Sequence, residues 1–107
     1  MIEKPARVVN LRKDSYEIYI GRPGKGLPGF WGNPFSWRPG TPPEFRVANR
    51  AEAIRKHKEY VRSNPEIMRR LPELAGKRLG CFCRPQLCHG DGYLDLLEEL
   101  GYPVCRV

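Results

Sequence analysis

The chain has 107 residues, 40% of them hydrophobic, and carries 19 Lys and Arg against 12 Asp and Glu, for a net charge of +7. That length supports one domain with a single modest core, spanning residues 1–107, and makes a second domain implausible. No apolar run approaches bilayer length, and Met1, Ile2, Glu3, Lys4 and Pro5 lack the apolar stretch of a secretory signal, so a soluble cytoplasmic protein with no membrane partner is expected.

In chain order, residues 6–12 are rich in β-formers, Lys13 and Asp14 supply turn residues, and 15–20 alternate apolar and polar positions. Two strands joined by a short turn are expected. From 21 to 43 the chain is loaded with Gly and Pro yet carries Phe30, Trp31, Phe35 and Trp37. A linker has no use for four large aromatics, so this is expected to be a long ordered loop that buries them against core or ligand. Its segment 21–26, with Gly24 and Lys25, resembles a phosphate loop only superficially, because the spacing is wrong and no Ser or Thr follows the Lys; it is read as flexible loop.

Asn49 is a helix N-cap candidate with Glu52 three residues on, and Ala53, Ile54, His57, Tyr60 and Val61 recur at helical spacing, predicting a helix from about 50 to 63. His57 is expected on its solvated side. Pro65 can open a second, shorter helix through Ile67, Met68 and Leu71, closed by Pro72 and Gly76. Residues 77–83 alternate as a strand, with Leu79, Cys81 and Cys83 facing one way and Phe82 the other. A last helix is predicted from about 89 to 100, with a stripe of Leu94, Leu97 and Leu100, stopped at Gly101, Tyr102 and Pro103. The elements predict an α/β fold: a single compact two-layer or three-layer domain with a small central sheet and about three helices.

Chemistry concentrates at the last strand-to-helix junction, where Cys81, Cys83, Cys88, His89 and Asp91 follow one another. A disulfide framework would spread its cysteines, whereas three are clustered here and Cys105 stands apart near the end, which suits reduced thiols. Reactive groups in the loop after a strand are how α/β folds build sites. Thiolates and imidazole bind zinc and also do nucleophilic chemistry, so two uses stay open. As a metal set, Cys81, Cys83, Cys88 and His89 give three sulfurs and one nitrogen, and strand geometry puts the first two thiols on one face about 7 Å apart at Cα. As a catalytic set, Cys88, His89 and Asp91 fall at a helix N-terminus, where free amides and the dipole depress a thiol pKa. Adjacent Cys88 and His89 diverge by roughly 100° if both are helical, so Cys88 would need a base from elsewhere.

The positive charge favours anionic partners: an anionic small molecule or nucleotide, with nucleic acid as a further partner. Its clusters, Arg12 with Lys13, Arg55 through Lys58, Arg69 with Arg70, and Lys77 with Arg78, are dispersed over different elements, several on solvated helix faces. No helix-turn-helix, finger-helix or aromatic RNA-binding strand pattern accompanies them.

Val8, Val9, Asn10 and Leu11 leading to Tyr19, Ile20, Gly21 and Arg22, then Trp31, Gly32, Asn33, Pro34 and Phe35, then Leu74 to Lys77 and Cys81 through Asp91, resemble the domain of unknown function family 4326 of phage, bacterial and archaeal proteins. The resemblance covers nearly the whole chain and carries no established activity. It implies that the aromatic loop and the cysteine cluster form one functional unit. Where this chain has Phe82 a Trp is more usual.

The leading expectation is a ligand or catalytic site with Gly21, Arg22, Gly32, Asn33 and Pro34 on one side and Cys83, Cys88, His89 and Asp91 on the other. The ligand class is a phosphate-bearing nucleotide or nucleoside-type compound, with phosphate on Arg22, Arg84 and the last helix's N-terminus, Asn33 supplying directional hydrogen bonds, and Trp31 or Phe35 stacking on a base. The competing expectation is a zinc-stabilised, non-enzymatic nucleic-acid-binding or adaptor module, in which the cysteines hold the fold and the basic surface binds.

Overall fold

A computed structural model describes residues 4–23, 26–27, 29–84 and 86–106. Gly24 and Lys25 of the superficially phosphate-loop-like segment lie outside the described residues. Strands β1 (Ala6–Asn10), β2 (Ile18–Tyr19), β3 (Arg78–Cys81) and β4 (Val104–Cys105) form one parallel sheet in the order β2-β3-β1-β4. Helices α1 (Arg50–Arg62), α2 (Pro65–Arg70) and α3 (His89–Glu99) complete the α/β domain.

Strand periodicity sorts the sheet into two faces. Ala6, Val8, Leu79 and Cys81 share one buried cluster with Ile20 and with Val61, Ile67, Leu71, Tyr93, Leu94, Leu96 and Leu97, so the helices cover this face. Val9, Tyr19 and Gly80, aligned across the three neighbouring strands, occupy the other. The expected helices begin where their caps predict: the Asn49 side chain accepts from Glu52 N at 2.9 Å, and the Asn64 side chain accepts from Glu66 N at 3.1 Å just before Pro65.

Four expectations are corrected. The first two strands do not pair with each other; both lie parallel to β3, one on each side. Glu17 N donates to Arg78 O and Ile20 N to Gly80 O, so the second strand takes the free edge of β3, and the chain between passes over that strand's face. Glycine at 80 makes the crossing possible, since a Cβ there would stand 2.7 Å from Tyr16 Cγ. The strand at 77–83 stops at Cys81, which releases Cys83 into the following loop. His57 is 1% exposed rather than solvated, because α3 packs over the α1 face that carries it. Leu100 is 49% exposed, the stripe of α3 being completed by Tyr93 and Leu96 instead. Strand β4, too short to show in the pattern, was not foreseen.

Gly80→Ala is therefore expected to destabilise the protein by about 1–3 kcal/mol through overpacking against Tyr16. Urea unfolding monitored by circular dichroism measures it, and an unchanged midpoint would mean that Tyr16 does not hold this position.

Candidate functional site

Because all four strands are parallel, their carboxyl ends share one edge of the sheet, where the orphaned ends of strands and the starts of helices converge. β2 continues there into Ile20, Gly21 and Arg22, and β3 into Phe82 and Cys83. The aromatic loop returns to the same place: a Cβ on Gly32 would stand 2.8 Å from the Gly21 carbonyl oxygen, so glycine lets the loop backbone lie against the end of β2.

A cavity of about 100 Å³ opens at this edge. The end of β2 contributes Gly21 and Arg22, the loop Asn33, Phe35 and Trp37, α1 Arg50, Ala53 and Ile54, and α3 Cys88 and His89. It shares Arg22 and Asn33 with a flanking cavity of about 360 Å³ that Gly32 and Pro34 also line. On its other side it shares Trp37 and Arg50 with one of about 720 Å³ bounded by Asn49 and Leu87. The three form one groove. Asn33 is held in the groove wall by its own bonds: Nδ2 donates to Ala53 O at 3.1 Å and Oδ1 accepts from Phe35 N at 2.9 Å.

Three thiols lie beside this groove. The sulfurs of Cys81, Cys83 and Cys88 are all within 4.8 Å of one another, and Cys81 Sγ stands 3.4 Å from Cys88 Sγ. Cys88 is the N-cap of α3, its sulfur accepting from Gly90 N at 3.3 Å. The cluster shares negative charge unevenly. Thiol hydrogen bonds from Cys81 and Cys88, together with the Arg50 guanidinium, push the Cys83 thiol far below the ordinary range. The same bonds, seen from the donors, hold Cys81 and Cys88 above it, and burial adds to both. The expected low-pKa Cys88 is thus reversed: it is 3% exposed, and its helix-terminal amides do not outweigh two neighbouring sulfurs and burial.

The loop between the thiols is closed by an ion pair. Arg84 donates through Nη1 and Nη2 to Asp91 Oδ2 and Oδ1 at 2.9 and 2.8 Å, and Asp91 Oδ2 also accepts from Cys88 N at 3.0 Å. Burial alone would raise the Asp91 carboxyl, but the Arg84 fork and the Cys88 amide outweigh it and hold it below its ordinary range. Asp91 is therefore a cap and an anchor, and Arg84 is committed to it. Within this capping box the Cys88 sulfur accepts from Gly90 N, and Asp91 accepts from the N-cap amide of Cys88.

The His89 ring is engaged elsewhere than at the sulfurs. Its Nε2 donates to the Ile20 carbonyl at 2.5 Å, its ring lies 5.0 Å from that of His57, and burial lowers its pKa. It is absent from the three-sulfur group. His57 is held down to about 3 by burial, with His89 adding to the shift, so it is neutral near physiological pH. Tyr93 Oη donates to Trp31 O at 2.8 Å and lies 3.3 Å from His57 Nε2, while His57 Nδ1 has no partner among the described residues. Trp31, expected at the ligand, is instead a core residue edge-on to Phe30 and Tyr93, 5% exposed.

The structure thus brings Gly21, Arg22, Asn33, Cys88 and His89 to one cavity, with Gly32 and Pro34 beside it, and withdraws Trp31, Arg84 and Asp91 into structural contacts. Trp37, one of the four aromatics expected against core or ligand, also lines the cavity, and Arg50 is added, which sequence patterns did not single out. Arg50 Nη1 donates to Leu87 O at 3.2 Å and its guanidinium lies 5.0 Å from the Trp37 ring centroid. Its position immediately after the Asn49 cap was the one available signal, since it places the side chain at the first turn of α1.

With this geometry established, comparison with known proteins agrees with the resemblance in the sequence. The family model for a domain of unknown function, DUF4326, matches residues 6–99. The chain belongs to the DUF4326 family. An uncharacterised 12.4 kDa protein from the nrdA-td intergenic region of Enterobacteria phage T4 is 33% identical over 94 residues, covering 88% of this chain and 79% of the phage protein. No solved structure matches. The matched span of the DUF4326 chain includes both the aromatic loop and the thiol cluster, and among the described residues no helix is long and apolar enough to cross a membrane.

Alkylation separates the three sulfurs. In metal-free protein, iodoacetamide should modify Cys83 ahead of Cys81 and Cys88, and already at neutral pH, because its thiolate persists below the pH at which an ordinary thiol loses its proton. Peptide mapping across a pH series reads the order; Cys88 reacting first would contradict this charge distribution.

Proposed function

We propose that the groove binds a phosphate-bearing nucleotide or nucleoside-type compound. The observation that carries this reading is the pairing of Arg22 and Arg50 around the central cavity, neither of them in an ion pair with a carboxylate among the described residues. Two guanidiniums at the carboxyl edge of a parallel sheet suit a phosphate group. Phe35 and Trp37 supply aromatic faces for a base, and His89 and Cys88 complete the wall. The central cavity admits only part of such a ligand, and the flanking cavities accommodate the remainder. Arg84 is left out of the phosphate site in this reading, its guanidinium being engaged by Asp91.

Titration with inorganic phosphate and with purine and pyrimidine mononucleotides, followed by calorimetry and tryptophan fluorescence, tests it. Binding that weakens about tenfold or more in Arg22→Ala and in Arg50→Ala is expected, from the loss of charge-assisted hydrogen bonds. Absence of binding at millimolar nucleotide, or variants indistinguishable from wild type, would remove the reading.

The second reading, a zinc-stabilised, non-enzymatic nucleic-acid-binding or adaptor module, is favoured by the three converging sulfurs. There the ion ties the end of β3 to the start of α3 and the basic surface does the binding. Protein purified under reducing conditions without added metal should contain close to one zinc per chain, and a chelator should lower its melting temperature. Metal-free protein whose melting temperature a chelator and added zinc leave unchanged would rule it out.

A further inference from the structure

We infer that Cys81, Cys83 and Cys88 form a three-thiolate centre for one zinc ion whose fourth coordination position is open to the groove beside Arg50. This rests on the reading that the chain binds zinc, and goes beyond it in naming the ligand set and the vacancy.

Zinc coordinated by three sulfurs at about 2.3 Å spaces them by a little under 4 Å, and the three Sγ atoms already stand within 4.8 Å of one another. A backbone amide is aimed at the cluster, Gly90 N–H donating to Cys88 Sγ at 3.3 Å. A thiol is a weak acceptor, whereas a thiolate gains from such a donor, so this amide suits a sulfur that carries charge. Zinc with three thiolates has a net charge of −1, and Arg50, which lines the same cavity as Cys88 and donates to Leu87 O, supplies the compensating cation.

The fourth ligand expected from sequence, His89, does not reach. Its ring is turned to the Ile20 carbonyl and to His57. Asp91 is held by Arg84 and by Cys88 N, and no other His, Cys, Asp or Glu among the described residues joins the sulfur group. Cys88 itself lines the central cavity, so the remaining position faces the groove, where water or a donor atom of a bound molecule would occupy it. Sites that zinc merely stabilises are closed by four protein ligands, whereas an open position is the arrangement in which zinc polarises or activates what it binds.

Cobalt substitution distinguishes these cases without requiring a known substrate. Reduced protein loaded with one cobalt(II) should show sulfur-to-metal charge transfer of three-thiolate intensity and the visible bands of a tetrahedral ion, and added azide should shift those bands by entering the fourth position. His89→Gln should keep near wild-type cobalt affinity, while Cys83→Ser should weaken it at least about tenfold, with circular dichroism checking that each variant folds. Failure of reduced protein to bind zinc or cobalt at all would overturn both this inference and the zinc reading. Bound cobalt whose bands ignore azide, or whose affinity falls with His89→Gln as it does with Cys83→Ser, would overturn the open three-thiolate centre alone and leave a closed zinc site.

Discussion

The Arg84 to Asp91 fork is the contact on which the geometry of the cysteine cluster depends. Cys81 is the last residue of a strand and Cys88 caps a helix, so their sulfurs meet only if the intervening loop folds back on itself. Arg84 reaches from inside that loop to the first turn of α3, and Asn10 Nδ2 donates to the Arg84 carbonyl at 2.8 Å, fixing the same residue to the end of β1. Both partners of the fork are only 16% exposed, which shields it from the screening that makes most surface ion pairs nearly neutral. A hydrogen-bonded charged pair of this kind contributes about 1–3 kcal/mol. Its larger effect is positional, since it holds the middle of the loop against the first turn of α3.

How far this arrangement could be anticipated varies with the range of the interaction. Asn49, Asn64 and Pro65 announced their helices because capping is satisfied within four residues. The three thiols that the structure brings together were legible as a cluster because they lie within eight residues of one another. Strand pairing is a different matter: alternation in residues 15–20 signals a strand without naming its neighbour, and the neighbour lies some sixty residues on, in β3. A glycine inside that strand was a usable hint, because an interior strand glycine marks something passing close over it. His57 and Trp31 were misplaced because their exposure depends on what α3 and Tyr93 cover. Arg84 looked like a free cation until its seven-residue reach to Asp91 was known, and Arg50 looked like an ordinary first-turn residue of a helix.

Charge is similarly rearranged by folding. Several cations are neutralised on helix surfaces: Arg55 by Glu52 and Glu59, Arg62 by Glu99, Lys58 by Asp95, Arg70 by Glu73. Arg62 and Lys58 bridge α1 to α3, so part of the excess charge fastens the helical layer together. On the far side of the sheet, Arg7, Lys13 and Arg78 line a separate cavity of about 360 Å³ that holds no thiol or imidazole. The basic character of the chain is therefore divided between helix surfaces, the far sheet face and the groove, rather than gathered into one stripe.

The central position of β1 has a consequence for how the chain assembles. β1 comes first of the four strands in chain order, yet its two neighbours are β3, which starts at Arg78, and β4, which starts at Val104. During synthesis it stays unpaired until these later strands emerge. Its ladder then closes late over long sequence separations, so folding should be slow for a domain of this size. The single cation of β1, Arg7 between Ala6 and Val8, gives the waiting strand a charge that discourages pairing with a second nascent chain.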